Sequence, residues 1–206
     1  MGKYNIKVIL LDMGGVLIKT TDRQIRTKLA KQFNLTYEQM DELVYGTESA
    51  KKATLGEISE TDHFQFVLDQ LGVPDYGIDR FQKEFWGGDT LDVELVKFIS
   101  EHNRDYRFGM LSNAMSNIRN WLNHKHGFLH LFEAIYFSAE LGMAKPDPKF
   151  YLAILNEFKV KAHEVIFIDD FIENIQVAKE LGIYAIHYKS TAQTLAQINR
   201  YLQDIK

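Results

Sequence analysis

Residues 8–17 read VILLDMGGVL, and this stretch decides the fold. Four apolar residues run directly into Asp12, and Gly14 and Gly15 follow shortly after it. A short apolar run that ends at a glycine-rich turn is typical of a buried strand in a parallel sheet. Open α/β sheets bind their ligands at the carboxyl ends of such strands. We therefore expect Asp12 at that edge, as a nucleophile, as a metal ligand or as an ordinary turn residue.

The rest of the chain alternates between strand and helix patterns. Further strands are predicted at 107–111, 134–138, 164–169 and 184–188, in addition to 6–12. Helices are predicted at 92–103, 114–124, 147–158, 171–181 and 191–203. Such alternation predicts a parallel sheet joined by right-handed crossovers. The expected fold class is α/β, with a Rossmann-like parallel sheet as its core.

A helical block interrupts this alternation after the first strand. Helices are predicted at 22–34, 36–46, 59–72 and 78–86, with capping boxes at Thr36/Gln39 and Ser59/Asp62. The block is too long for a normal crossover connection, which indicates an inserted helical domain. We expect a core formed by residues 1–18 and 87–206 and a cap formed by residues 19–86. The hinges are predicted near residues 19–21 and 87–89.

Composition narrows the class of protein. The 206 residues are 46% hydrophobic and 25% charged, as in a globular protein with a sizeable core. The net charge of −4 gives no reason to expect nucleic acid or an anionic membrane as a partner. Cysteine is absent, so thiolate chemistry is excluded. Without a membrane-length apolar run or a signal-peptide segment before the first strand, we expect a cytoplasmic protein; its oligomeric state is not predicted.

Three further motifs follow predicted strands. They are Ser112 with Asn113, Lys145 before a proline, and the adjacent carboxylates Asp169 and Asp170. Each alone is consistent with a helix cap, a solvated loop cation or a turn. Parallel strands, however, bring their carboxyl ends to one edge, where these groups would meet Asp12. A nucleophile, hard oxygen ligands for a divalent metal and cationic and hydroxyl donors are what phosphoryl transfer needs.

These four motifs, each after a strand and in this order, resemble the haloacid dehalogenase superfamily over nearly the whole chain. The resemblance implies a phosphatase with a small helical cap of the type-1 class. It implies that Asp12 is the nucleophile that forms an aspartyl-phosphate. Ser112 would bind the transferring phosphoryl group, Asn113 would help hold the substrate, and Lys145 would neutralise both nucleophile and phosphoryl group.

The same resemblance implies a magnesium site beside the nucleophile. Mg²⁺ would be held by Asp12, by the backbone carbonyl of Gly14 and by Asp170. Asp169 would complete the acidic pair, and Asn174 would support this loop.

The chain departs from the usual phosphatase pattern at Gly14, where a second aspartate normally serves as general acid and base. Such proton transfers contribute about 10²–10⁴ in rate. A phosphatase of the DxGxV subgroup, which includes bacterial α-glucose-1-phosphate phosphatase, fits best, with a small phosphorylated substrate such as a sugar 1-phosphate. A non-catalytic phosphometabolite-binding protein is the second interpretation, and a 2-haloacid dehalogenase, disfavoured by the acidic pair, is the third.

The cap holds fewer recognisable signals. The loop at 56–59 lies where such caps carry a substrate-contacting loop, although a helix-start turn is the favoured interpretation for Glu57 itself. Tyr45, Lys51 and Lys52 are further candidates for substrate contact, with a solvated helix face as the simpler interpretation for the lysines. Trp86 and Trp121 are predicted to be packing residues.

Overall fold

The computed structural model describes residues 4–203 and contains a five-stranded parallel sheet in the order β5-β4-β1-β6-β7. The strands are β1 (Val8–Leu11), β4 (Arg107–Ser112), β5 (Ala134–Phe137), β6 (Val165–Asp169) and β7 (Tyr184–His187). Strand β1 lies at the centre, paired in parallel with β4 and β6. The predicted α/β fold with a parallel sheet is therefore confirmed. The position of β1 places Asp12 at the middle of the carboxyl edge.

Helices cover both faces of this sheet. They are α6 (Val93–His102), α7 (Ile118–Lys125), α8 (Ser138–Leu141), α9 (Pro148–Phe158), α10 (Ile172–Glu180) and α11 (Thr191–Gln203). Successive residues of β1 point to opposite faces: Ile9 packs with α6, α7 and α11, whereas Leu10 packs with α9 and α10. This burial on both faces explains why the strand reads as a continuous apolar run.

The helical block contains five α-helices, all within the described residues. They are α1 (Arg23–Gln32), α2 (Tyr37–Asp41), α3 (Glu48–Thr54), α4 (Glu60–Gln70) and α5 (Ile78–Phe85). The predicted capping boxes at Thr36 and Ser59 are both present. These helices enclose a separate apolar cluster that includes Leu29, Phe64 and Phe81. Between residues 4 and 203, no helix has the length and apolar character needed to cross a membrane.

The predicted helix at 36–46 is wrong in its second half. After α2 the chain continues as a π-helical turn, Glu42–Gly46, and the short helix α3, which was not predicted, follows it. The buried ring of His63 on α4 bonds the carbonyl of Val44, and this contact takes the place of a regular helical partner. Periodicity within 36–46 carries no information about a contact with residue 63.

The two predicted hinges are also more ordered than expected. Residues 18–20 and 89–91 form an antiparallel pair, β2 (Ile18–Thr20) and β3 (Asp89–Leu91). The chain therefore enters and leaves the helical block through one two-stranded ribbon. Strands of three residues that pair across about 70 positions leave almost no local pattern.

The predicted helix at 114–124 begins later, at Ile118. The backbone of Ala114 is occupied elsewhere, because its N–H donates to the hydroxyl of Ser138 at 2.9 Å. Its carbonyl accepts from the N–H of Ala139 at 3.3 Å. These bonds hold the segment after β4 as a loop.

Candidate active site

Asp12 follows the last residue of β1 and is 6% exposed. Its backbone N–H donates to the carbonyl of Ile168 on β6 at 2.9 Å, so strand pairing continues up to the carboxylate. One carboxylate oxygen, Oδ1, accepts from the N–H of Met13 at 2.6 Å. The other, Oδ2, lies 3.0 Å from the Nζ of Lys145. The side chain is thus held at the sheet edge by one backbone donor and one buried cation.

Lys145 lies between two carboxylates. Its side chain is 1% exposed, and its Nζ donates to Asp169 Oδ2 at 2.7 Å as well as approaching Asp12. A buried ammonium needs such partners, since an unpaired buried charge is strongly destabilising. Lys145 therefore links the ends of β1 and β6 by charge.

The two adjacent carboxylates Asp169 and Asp170 differ in their surroundings. Asp169 is fully buried, and its oxygens accept from the N–H of Phe171 at 2.8 Å, from the amide of Asn174 at 3.0 Å and from Lys145. Asp170 Oδ1 is buried and has no hydrogen-bond partner among the described residues. Asp169 is thereby saturated with donors, whereas Asp170 has a lone oxygen available to bind a ligand.

The electrostatics of this cluster are unfavourable in the absence of a further cation. Burial raises the pKa of Asp12 to about 7, although Lys145 opposes the shift and the Ser112 hydroxyl lowers the pKa by hydrogen bonding. Burial also raises the pKa of Asp170, and the neighbouring Asp169 raises it further. Both carboxylates would be easier to ionise if a cation lay beside them.

The carboxylates fit a divalent metal. Oxygens of Asp12, Asp169 and Asp170 all lie within 4.8 Å of one another. The unpartnered oxygen of Asp170 is the kind of hard ligand that Mg²⁺ prefers. The acidic cluster at the carboxyl edge could therefore hold Mg²⁺.

The two glycines after Asp12 have different surroundings. A Cβ at Gly14 would meet nothing within 4 Å. A Cβ at Gly15, where φ is +72°, would lie 2.1 Å from Asp170 Oδ2. Gly15 is therefore required for the close approach of this loop to Asp170, and Gly14 leaves open space beside the nucleophile.

The end of β4 and the loop after it bring Ser112 and Asn113 to the site. Ser112 is 1% exposed, and its hydroxyl lowers the pKa of Asp12. Asn113 bonds the backbone of Lys145 in both directions: its amide donates to the Lys145 carbonyl, and its Oδ1 accepts from the Lys145 N–H, each at 2.8 Å. Asn113 therefore positions Lys145, a contact that the sequence did not indicate.

The structure thus brings the predicted nucleophile, phosphate-binding and metal-binding residues together at one edge of the sheet. The further candidates for substrate contact lie in the helical block: Tyr45, Lys51, Lys52 and the loop 56–59. Sequence reasoning missed Ser138, whose buried hydroxyl also donates to the carbonyl of Ala114 at 3.2 Å and shapes the loop that follows Ser112. A serine directly after an apolar strand was the only local signal, and it is equally common at ordinary helix starts.

Known proteins support a common ancestry and fold. The chain is 27% identical to a sesquiterpene phosphatase of Aspergillus oryzae, across 94% of this chain and 95% of that protein. It is 25% identical to a D-ribitol-5-phosphate phosphatase of Bacteroides thetaiotaomicron, across 86% and 89% of the two chains. A haloacid dehalogenase family enzyme of Bacteroides thetaiotaomicron, solved with magnesium and inorganic phosphate, has the same fold. Its TM-score is 0.77 at 24% identity, with 90% of this chain and 96% of that chain covered.

Residues 6–182 match the haloacid dehalogenase-like hydrolase family. The matched range includes the ends of β1, β4 and β6 and the whole of the carboxylate cluster. The chain therefore belongs to the haloacid dehalogenase-like hydrolase family.

Proposed function

We propose that this protein is a Mg²⁺-dependent phosphatase that hydrolyses a small phosphorylated metabolite through an aspartyl-phosphate. The observation that carries the proposal is the placement of Lys145 between Asp12 and Asp169, with the unpartnered oxygen of Asp170 beside them. A nucleophile, a fixed cation and a free oxygen ligand at one point are the components of phosphoryl transfer.

Asp12 attacks phosphorus in the first step. The bond from phosphorus to the leaving oxygen breaks, and that oxygen departs with the electron pair and takes a proton from water. In the second step water attacks the phosphorus of the aspartyl-phosphate. The bond to Asp12 breaks, inorganic phosphate leaves, the surplus proton passes to solvent, and the carboxylate is restored.

Three other residues would stabilise the charge that moves during these steps. Lys145 neutralises both Asp12 and the transferring group from its buried position, and Ser112 donates to a phosphoryl oxygen. Asn113 keeps Lys145 in place through its two bonds to the lysine backbone.

Asp12, the carbonyl of Gly14 and Asp170 would hold Mg²⁺, which supplies further neutralisation of the phosphoryl oxygens when bound. Asp169 and Asn174 would support the cluster without direct ligation, because the oxygens of Asp169 are already saturated with donors.

The leaving group is expected to depart with little help from a protonated side chain. Position 14 has no side chain, so it cannot supply a proton to the leaving oxygen. Phosphate esters of relatively acidic hydroxyl groups can react without such a proton donor. Sugar 1-phosphates and aryl phosphates are two such classes. The two relatives are named for a terpene and for a polyol phosphate, so they support phosphatase chemistry without deciding between leaving groups.

The helical block would act as a cap. We propose a division into a cap of residues 19–86 and a core of residues 1–18 and 87–206, of which residues 1–3 and 204–206 lie outside the described range. The cap has its own apolar cluster and is joined to the core by the β2–β3 ribbon. Closure over Asp12 would shield the first step from bulk solvent while retaining the water that protonates the leaving oxygen.

The direct test is phosphate release from p-nitrophenyl phosphate and a panel of sugar phosphates, with Mg²⁺ and with EDTA. We expect turnover in Mg²⁺ that EDTA abolishes. Asp12→Asn should lose at least about a thousandfold in kcat, since a group that forms the covalent intermediate has no substitute.

Asp105→Asn removes an exposed carboxylate far from the sheet edge and is the matched control, with activity unchanged. Normal turnover by Asp12→Asn would overturn the covalent mechanism. No release from any ester would favour the non-catalytic binder, and halide release that survives EDTA would favour the dehalogenase.

A further inference from the structure

An exposed aromatic ring lies directly beside the acidic pair. Phe171 is 61% exposed, yet its backbone N–H is fixed on Asp169 Oδ1 at 2.8 Å. The next residue, Ile172, is also exposed, at 42%. Adjoining exposed apolar side chains are a feature of ligand-binding and interaction surfaces when they form a contiguous patch. On the β6 side, the Asp12 site is thus bordered by two exposed apolar side chains.

Apolar side chains lie on the β4 side of the same site as well. Met115 lies three residues after Ser112 and packs against the apolar cluster of the cap, as does Trp86. The ring of Trp86 lies 6.3 Å from that of Trp121, on helix α7 of the core. Because β1 lies between β4 and β6, Asp12 has apolar side chains on both flanks.

Tyr45 extends this surface from the cap. The π-helical turn carries it, and His63 fixes that turn through the carbonyl of Val44. The Tyr45 hydroxyl accepts from the indole N–H of Trp86 at 2.8 Å, while the residue as a whole remains 51% exposed. Its ring is thus open to solvent although its polar atom is engaged. Single π-helical turns occur often at functional sites.

Several polar side chains at the junction of cap and core are already engaged by the protein. Glu60 accepts from Gln82 and from the backbone of Asn117, and Arg119 is paired with Glu140. Asn113 is committed to the backbone of Lys145. A polyol would need free donors and acceptors here, because a buried hydroxyl without a partner is costly.

We infer that the leaving group of the substrate is apolar, a phenol or a similarly apolar hydroxyl compound, packed against Phe171 and Tyr45. This inference rests on the proposed phosphatase function and names its substrate class. The occupant would be the leaving group, because Phe171 directly follows the acidic pair. Tyr45 contacts Trp86, which packs against the same cluster as Met115, three residues beyond Ser112. An aryl ester also meets the requirement for a leaving group that needs little protonation.

A series of 4-alkylphenyl phosphates tests the inference. Phenyl, 4-methyl-, 4-ethyl-, 4-propyl- and 4-butylphenyl phosphate release phenols of nearly constant acidity, so the chemical step stays the same while apolar area grows. We expect kcat/KM in Mg²⁺ to rise about two- to fourfold with each added carbon until the surface is covered. A flat or falling series would overturn the inference.

Variants assign the effect to the named rings. Tyr45→Ala and Phe171→Ala should each reduce the ratio of kcat/KM for 4-butylphenyl to phenyl phosphate by about fivefold or more. Tyr45→Phe should keep the ratio, because it retains the ring. Leu152→Ala, which truncates a half-exposed apolar residue on α9, is the matched control and should also keep it.

The ratio does not depend on how much of a variant is folded, since misfolded protein lowers both values equally. An unchanged ratio in both alanine variants, or an equal loss in Leu152→Ala, would overturn the inference while the phosphatase proposal stands. No Mg²⁺-dependent phosphate release from phenyl phosphate, with release from acetyl phosphate or a sugar phosphate retained, would overturn the inference alone. No release from any of these compounds would overturn the phosphatase proposal, and the inference with it.

Discussion

At the scale of single residues, the adjacent glycines Gly14 and Gly15 show how differently two identical residues can be constrained by their surroundings. Gly15 is required, because its positive φ and its approach to Asp170 leave no room for a Cβ. Gly14 has neither constraint, since nothing lies within 4 Å of the position where its Cβ would be. The missing carboxylate at position 14 is therefore not a consequence of packing.

Gly14→Asp should add a general acid to this site. We expect faster hydrolysis of esters with poor leaving groups, by up to about 10²-fold, and little change for good ones. The measurement is kcat/KM for aryl phosphates of graded phenol acidity, whose dependence on leaving-group acidity should become shallower in the variant.

Gly14→Ala is the control for that substitution, because it adds a Cβ without a carboxyl group. It should leave the dependence on leaving-group acidity unchanged. Two results would contradict the account of position 14. One is an equally shallow dependence on leaving-group acidity in Gly14→Ala, and the other is an unchanged dependence in Gly14→Asp.

The raised pKa of Asp12 predicts that the stability of the fold depends on pH. Its pKa is raised to about 7 from an ordinary value of 3.8, chiefly by burial, so the folded chain binds this proton more tightly than the unfolded chain does. The contribution of this proton to the free energy of unfolding is fully present below pH 3.8 and is lost as the pH rises through about 7. In EDTA, Asp12→Asn should therefore become more stable than the native chain as the pH rises.

Urea unfolding of both proteins at pH 5, 6, 7 and 8 measures this difference. The advantage of Asp12→Asn should grow over the range and level off above pH 7. A variant that is less stable than the native chain at pH 8 would show that Lys145 offsets the burial of Asp12 completely.

At the scale of secondary-structure elements, one buried arginine connects the ribbon to the cap helices. Arg26 on α1 is 4% exposed, and its Nε donates to the carbonyl of Phe85 at 3.0 Å. Its guanidinium nitrogens pair with Asp41 at the end of α2 at 2.8 Å and with Asp89 on β3 at 3.3 Å. Four elements thus share one cation, which orients the cap where it joins the β2–β3 ribbon.

Arg26→Ala should reduce the free energy of unfolding by about 3 kcal/mol, because it leaves Asp41 and Asp89 without their buried partner. Arg80→Ala is the matched control: Arg80 forms an ion pair with Glu84 at the surface, and its loss should leave the melting temperature nearly unchanged. Equal effects of the two substitutions would contradict the assignment of Arg26 as the connecting residue.

At the scale of the whole molecule, binding of Mg²⁺ to the acidic cluster would be coupled to folding. A cation that binds only the folded cluster stabilises the fold by mass action, by about 2.7 kcal/mol at a hundredfold excess over its Kd. The melting temperature should therefore rise when EDTA is replaced by Mg²⁺. Asp170→Asn should remove most of this rise, because Asp170 is the carboxylate with an unpartnered oxygen.

Asp75→Asn, which removes an exposed carboxylate in the cap, should retain the full rise in melting temperature. An undiminished rise in melting temperature in Asp170→Asn would show that other residues bind the metal. Differential scanning calorimetry at two Mg²⁺ concentrations makes the comparison directly.

The sequence by itself determined the α/β class, the parallel sheet and the positions of Asp12, Ser112, Asp169 and Asp170 at strand ends. These follow from local patterns: a strand buried on both faces must be continuously apolar, and a polar residue marks where it leaves the core. The parallel arrangement then implies that the strand ends meet. No contact between distant residues is needed for either step.

Only the tertiary structure decided which of two adjacent carboxylates has a free oxygen, what Asn113 binds, and how the cap joins the core. Asp169 differs from Asp170 because Lys145 and Asn174 reach one and not the other. The π-helical turn depends on His63, and the start of α7 depends on Ser138. Each outcome is set by hydrogen bonds between residues far apart in the chain, and such bonds leave no periodic trace in the sequence.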